Sequence, residues 1–95
     1  MNIGETIKHL RKYYGLSQET LAERMELSRS RLSYIESGRV NPTIQNIKTL
    51  GDILGLSLEK IHWISENMNK PNELTALLET ITAIYKPSHR RQSAD

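Results

Sequence analysis

The chain predicts an all-α fold, and three observations carry that expectation. Apolar residues recur at three- and four-residue spacing, the repeat of one face of a helix. Serines stand just before these stripes at Ser17, Ser28 and Ser57, where a hydroxyl can accept from the free backbone N–H groups of a helix start. Gly38 follows one stripe, where a glycine in the left-handed region commonly ends a helix.

Taken in order, a first amphipathic helix carries Ile7, Leu10 and Arg11. Behind Ser17, Leu21, Ala22 and Met25 form a narrow apolar stripe, and the small Ala22 lets the next helix approach closely. Leu27 fills the angle between the two helices, and Ser28 caps the second of them. Its inward residues are Leu32 and Ile35. At about 100° per residue, Ser30, Ser33, Tyr34 and Ser37 fall on the far side, with Arg29 exposed at the N-terminal end. One helix braces and the next presents a polar, arginine-bearing face. A helix-turn-helix that enters the major groove needs this division of labour.

Further along, Ser57 caps a helix with Leu58, Ile61 and Ile64 on one side, and Trp63 is expected beside them as a buried anchor. Lys70-Pro71-Asn72 interrupts the chain. From Glu73 to Tyr85, Leu74, Leu77, Leu78, Ile81, Ile84 and Tyr85 make a strong amphipathic helix, with Asn72 as its expected cap. Lys86 to Asp95, with Pro87, Arg90 and Arg91, reads as a frayed, weakly basic tail. The expected organisation is a DNA-binding domain over residues 1–69, a C-terminal helix over 70–86 and a disordered tail over 87–95.

Composition agrees with these bounds. Ninety-five residues suit one domain, with a core near the lower size for a stable monomer. No cysteine is present, which excludes a disulfide framework, a cysteine-rich zinc finger and a thiol nucleophile. No signal segment or membrane-length apolar run is seen, so a soluble cytoplasmic protein is expected. The net charge of +2 matters for where it lies: Ser28 to Arg39 holds Arg29, Arg31 and Arg39 against one acid, Glu36, an excess equal to that of the whole chain. Phosphate attraction would use such a face.

Gln18 to Gly38 resembles the helix-turn-helix of the Xre family, which includes the small lambdoid phage repressors and Cro. The resemblance extends to Gly15-Leu16-Ser17-Gln18, to Ser28-Arg29-Ser30 with Ile35-Glu36-Ser37-Gly38, to Asn41-Pro42-Thr43-Ile44 and to Leu54-Gly55-Leu56-Ser57-Leu58. It covers roughly residues 3 to 64, five elements in family order, and implies a five-helix repressor-like domain to which the C-terminal amphipathic helix is added. Two departures stand out. Glu26 occupies the turn where the family usually has glycine, a positive-φ position costing on the order of 1 kcal/mol. Gly51 stands where the family prefers alanine and is expected to mark a close helix crossing. The resemblance also implies that Arg11 and Glu36 form a structural ion pair holding the recognition helix against the first helix.

Roles within the site follow from side-chain chemistry. Arg29, Ser30 and Tyr34 are the candidates for base-edge contacts, since arginine bonds bidentately to guanine, serine donates or accepts, and an aromatic edge can meet a thymine methyl. Gln18, with Ser17 at a helix N-terminus, is expected to contact backbone phosphate and brace the recognition helix. Arg39 and Asn41 are expected on phosphates, Arg31 sideways towards them, with Ser28 and Ser33 on the same segment. The competing reading of each is a solvated side chain.

The resemblance implies that two half-sites are bound by a symmetric dimer, so Leu74, Leu77, Leu78, Ile81 and Ile84 are candidates for the dimer interface. The alternative is that this helix closes over Trp63 and the first helix within one chain. His9, His62 and His89 are scattered, and neither a Gly-x-Ser-x-Gly elbow nor a glycine-rich phosphate loop is present, so no enzyme, metal or cofactor is expected. The sequence thus reads as a sequence-specific transcriptional regulator, a repressor that occludes a promoter. Phage-type repressor, restriction-modification controller and autorepressor that neutralises a toxin protein remain open, beside a protein-interaction module that does not read DNA.

Overall fold

Side-chain caps start five of the helices, in a computed structural model that describes residues 1–84. Asn2, Ser17, Ser28, Thr43 and Ser57 each hold extended backbone and accept from the amide three residues on, at 2.8–3.0 Å. Asn2 with Glu5, and Thr43 with Asn46, complete reciprocal capping boxes. The helices that follow are α1 (Ile3–Tyr13), α2 (Gln18–Arg24), α3 (Arg29–Glu36), α4 (Ile44–Leu54) and α5 (Leu58–Asn67), and a sixth, α6, spans Pro71–Ile84. Among the described residues there is no strand, and no helix is long and apolar enough to cross a membrane.

Helix α1 is the hub, packing against α3, α5 and α6, while α2 lies on α3 and α4 on α5. One continuous core joins Ile7 and Leu10 of α1 to Leu21 and Ala22 of α2, Met25 at its C-cap, Leu32 and Ile35 of α3, Leu50 of α4, Ile61 and Ile64 of α5, and Leu74 and Leu78 of α6. Burying each of the leucine, isoleucine and methionine side chains contributes about 1.5–3 kcal/mol over leaving it in water. The turn between α2 and α3 is tight: Glu26 takes φ 59°, and the Leu27 amide returns to the Ala22 carbonyl at 2.9 Å. Leu27 packs against the core, which offsets the strain at Glu26.

Three expectations are corrected. Trp63 is not a buried anchor; it is 49% exposed. Ile61 and Ile64 define the inward side of α5, and at about 100° per residue Trp63 is turned well away from both. The last helix starts at Pro71 and not at Glu73, so Asn72 lies in its first turn and is not its cap. Proline suits the first helical position because its missing N–H would have no intrahelical partner there. The helix leaves Trp63 half exposed; it lies on α1, and Leu74 and Leu78, one turn apart, are buried at 1% and 2% exposure. Leu77 and Ile81 are half-buried. Tyr85, Lys86 and the tail over 87–95 lie outside the described residues.

Close approach explains two glycines. A Cβ on Gly4 would sit 2.2 Å from the Ile35 carbonyl oxygen, so glycine here is what lets α1 meet the end of α3. At Gly51 the obstacle is not a crossing helix, as expected, but the carbonyl of Leu56 in the loop after α4, 2.3 Å from a built Cβ. Helix propensity alone would make Gly51→Ala stabilising by about 1 kcal/mol. We expect the opposite sign for both Gly4→Ala and Gly51→Ala, a loss of about 1–3 kcal/mol from overpacking against backbone. Chemical denaturation decides it, and an unchanged or raised midpoint would show that the neighbouring backbone yields freely.

Candidate nucleic-acid interface

The face of α3 is aimed by a buried polar network that begins on α1. Arg11 sits on the inner side of α1, one position after Leu10, and reaches the carboxylate of Glu36 at the last position of α3. Its Nε donates to Glu36 Oε2 at 2.7 Å and its Nη2 to Oε1 at 3.1 Å. The remaining guanidinium nitrogen, Nη1, donates to the Leu16 carbonyl at 2.8 Å. Gln18, at the first position of α2, donates from Nε2 to Glu36 Oε1 at 3.1 Å. The Arg11 and Glu36 side chains are only 10% and 2% exposed. Three helices therefore converge on one carboxylate, whose charge is matched and whose oxygens are occupied, as a buried charge requires.

This disposes of the one acid in the segment. With Glu36 turned inward, Arg29, Arg31 and Arg39 are all exposed, and Ser30, Ser37, Tyr34 and Asn41 lie in solvent beside them. Ser33, expected on the far side, is half-buried: at about 100° per residue it lies only about 60° from the buried Glu36. Ser28 is occupied as a cap towards the Arg31 amide. Ser17 accepts from the Thr20 amide at 3.0 Å and donates to the Thr20 hydroxyl at 2.9 Å, so its hydroxyl hydrogen is also engaged. Gln18 braces the network as expected, half-buried, at the N-terminal end of α2.

The end of α3 is shaped by a Schellman turn. Gly38, at φ 84°, donates to the Ile35 carbonyl, and the next amide, of Arg39, returns to Tyr34 at 2.9 Å. The Arg39 guanidinium lies 5.9 Å from the Tyr34 ring centroid. Sequence reasoning placed Tyr34 on the far side of α3 and Arg39 on phosphates but did not see this pairing. Nor did it see that Gly4 seats α1 against the carbonyl of Ile35, next to the network; the available signal was a glycine on the α1 stripe, three residues before Ile7.

Comparison with known proteins places this geometry. A model of the helix-turn-helix family HTH_3 matches residues 7–61. The chain is similar to the immunity repressor protein of Bacillus phage phi105, 39% identical over 61 residues, which are 64% of this chain and 42% of that one. It thus spans about two fifths of that relative's length. Among solved structures it is similar to the restriction-modification controller protein C.AhdI of Aeromonas hydrophila, at 36% identity and TM-score 0.58, covering 62% of this chain and 89% of that one. It is similar to SinR, the master regulator for biofilm formation, solved in complex with DNA, at 36% identity and TM-score 0.57, covering 63% and 97%. A second SinR structure, a complex with the SinI protein, extends the similarity to 95% of this chain and 88% of that one, at 26% identity and TM-score 0.62.

The network generates a prediction about asymmetry. Glu36→Ala leaves the Arg11 charge buried without its partner and is expected to cost about 3–5 kcal/mol of stability. Replacing both ends by apolar residues, Arg11→Met with Glu36→Leu, should recover most of that loss. Denaturant titration of the single and double variants measures it. A double variant no more stable than Glu36→Ala would mean that the pair stabilises the fold through more than mutual neutralisation.

Proposed function

The chain belongs to the helix-turn-helix family HTH_3, the Xre type of DNA-binding domain, and from that premise we propose that it is a sequence-specific regulator of transcription. It inserts α3 into the major groove of double-stranded DNA and represses by occupying a palindromic operator as a homodimer, in the cytoplasm. One observation carries this reading most directly: the outward side of α3 and its exit presents three exposed arginines, while Glu36 is buried and paired elsewhere. Arg29 and Ser30, at the N-terminal end of α3, read base edges. Arg39 and Asn41 beyond it, with Arg31 at the side and Gln18 at the start of α2, engage phosphates, while Ser17, whose hydroxyl is taken by Thr20, serves as the cap of that helix. Similarity to a phage immunity repressor and to a regulator solved with DNA supports the assignment.

The dimer is argued from symmetry and from α6. Two recognition helices about one DNA turn apart, roughly 34 Å, match two half-sites. Because Leu74 and Leu78 are taken by the chain's own core, the contact with a second copy falls to Leu77 and Ile81, which keep part of their surface in water, together with Ile84, whose side chain lies outside the described residues. Helix α6 thus serves twice, as a cover for α1 and as a dimerisation element, and is not a separable appendage. A second reading is favoured by the SinR–SinI similarity, which spans nearly the whole chain: a partner protein, such as a toxin, that docks on the dimer-forming helix.

Gel-shift titration against duplexes selected from random sequence tests DNA reading. We expect a palindromic preference that weakens steeply with salt, because phosphate contacts release counterions. Arg29→Ala should relax discrimination at particular base pairs, at about 1–3 kcal/mol for a lost bidentate contact, and Arg39→Ala should weaken all duplexes alike and flatten the salt dependence. Equal, negligible affinity for every selected duplex would refute the reading; one shared pattern of lost discrimination would refute the division of roles.

Sedimentation of the full chain tests assembly. A dimer is expected at tens of micromolar, shifting towards monomer on Leu77→Glu with Ile81→Glu while helix content is kept. A monomeric wild type removes the dimer, and a variant that stays dimeric moves the interface off α6.

A further inference from the structure

Four helices of this chain end in one backbone motif, and one of the four differs in the residue that closes it. In α1, α2, α3 and α4 a left-handed residue, Gly15, Glu26, Gly38 or Gly55, is followed by an amide that returns five positions along the chain. The bonds run from Leu16 to Arg11, Leu27 to Ala22, Arg39 to Tyr34 and Leu56 to Gly51, all at 2.9–3.0 Å. This turn brings the closing side chain back towards the residue that supplies the carbonyl, and an apolar contact usually seals it. Three of the closing residues are leucines packed against the core. The fourth is Arg39, exposed, with Tyr34 beneath it.

The main chain at Tyr34 is held firmly. Its carbonyl accepts from the Arg39 amide at 2.9 Å, the Val40 amide at 3.2 Å and the Ser37 hydroxyl at 3.0 Å. Its ring is 45% exposed and lies within cation–π range of the Arg39 guanidinium. Among the described residues no carboxylate pairs with Arg39. At 5.9 Å from the ring centroid the guanidinium is at the outer edge of cation–π range, a contact that leaves its N–H donors free and favours rotamers near the ring before a phosphate arrives.

We propose that Tyr34 is a positioning residue: it holds the Arg39 guanidinium at the exit of α3, pointed for a phosphate, and does not read a base. This rests on the DNA-binding reading above. It makes the Schellman turn of α3 a device for fixing a cation where the other three fix a leucine. The ring face is the part that matters, so the tyrosine hydroxyl is dispensable and a lysine in place of Arg39, with no planar surface to stack, is not equivalent.

Fluorescence anisotropy on the duplex best bound by wild type, and on single-base-pair variants of it, tests this with a double-mutant cycle. Tyr34→Leu should weaken binding about two- to fivefold, by the same factor on every duplex, and Tyr34→Phe should restore it. In an Arg39→Ala background, Tyr34→Leu should add nothing. An equal loss in both backgrounds, a loss confined to one base pair, or failure of phenylalanine to rescue would each overturn the proposal. In the free protein, ring-current shifts of the Arg39 side-chain protons should be present in wild type and Tyr34→Phe and absent in Tyr34→Leu. Their absence in wild type overturns the placement independently of DNA. A wild type that prefers no duplex overturns the DNA reading, and this role with it, whatever the shifts show.

Discussion

The structure depends on the burial of one carboxylate. Glu36 is the last residue of α3, and its two oxygens receive Arg11 from α1 and Gln18 from α2. Removing a carboxylate from water is costly unless its charge is matched and its oxygens are hydrogen-bonded. That condition is met only when α1, α2 and α3 hold one mutual arrangement, so the network disfavours other packings of the same apolar stripes. Arg11 adds a further tie through the Leu16 carbonyl, which fixes the end of α1 and the approach to α2 together.

The electrostatic consequence reaches the surface. Had Glu36 lain among the arginines, the field outside α3 would have been partly cancelled. Its burial separates the segment into a neutral inner side and a cationic outer one, and a cationic face is what attracts a phosphate backbone. Gly4 serves the same arrangement sterically, because any side chain there would push α1 off the Ile35 carbonyl one residue before Glu36. Packing and charge therefore act on the same few residues.

At the other end of the molecule, α6 resolves the small-core problem of a short chain. Leu74 and Leu78 extend the core beyond α1 and α5, so the last helix is part of the fold as well as a surface for assembly. Its outer positions, among them Glu73, Thr75, Ala76, Glu79 and Thr80, are exposed and mostly polar. Leu77 and Ile81, on the flanks of the buried stripe, keep part of their apolar surface in water.

Much of this was legible in the residues alone. Helix starts were, because capping is a local contact between a side chain and an amide three residues on, as at Ser17, Ser28 and Ser57. The inward positions of α2 and α3 were, because helical periodicity sorts faces without reference to neighbours. The positive φ at Glu26 came only through the family resemblance, which puts a glycine at that turn. Trp63 was not: hydrophobicity says that a tryptophan prefers burial, but only the packed orientation of α5 decides which residues find a partner, and Ile61 and Ile64 took that side. The start of α6 was missed because proline both breaks helices and opens them, and the choice depends on the chain before it. The obstacle beside Gly51, the Gly4–Ile35 contact and the pairing of Tyr34 with Arg39 are all set by the path of the backbone through space. A linear sequence determines what each segment prefers; only tertiary packing determines which surfaces meet, because burial is a property of pairs.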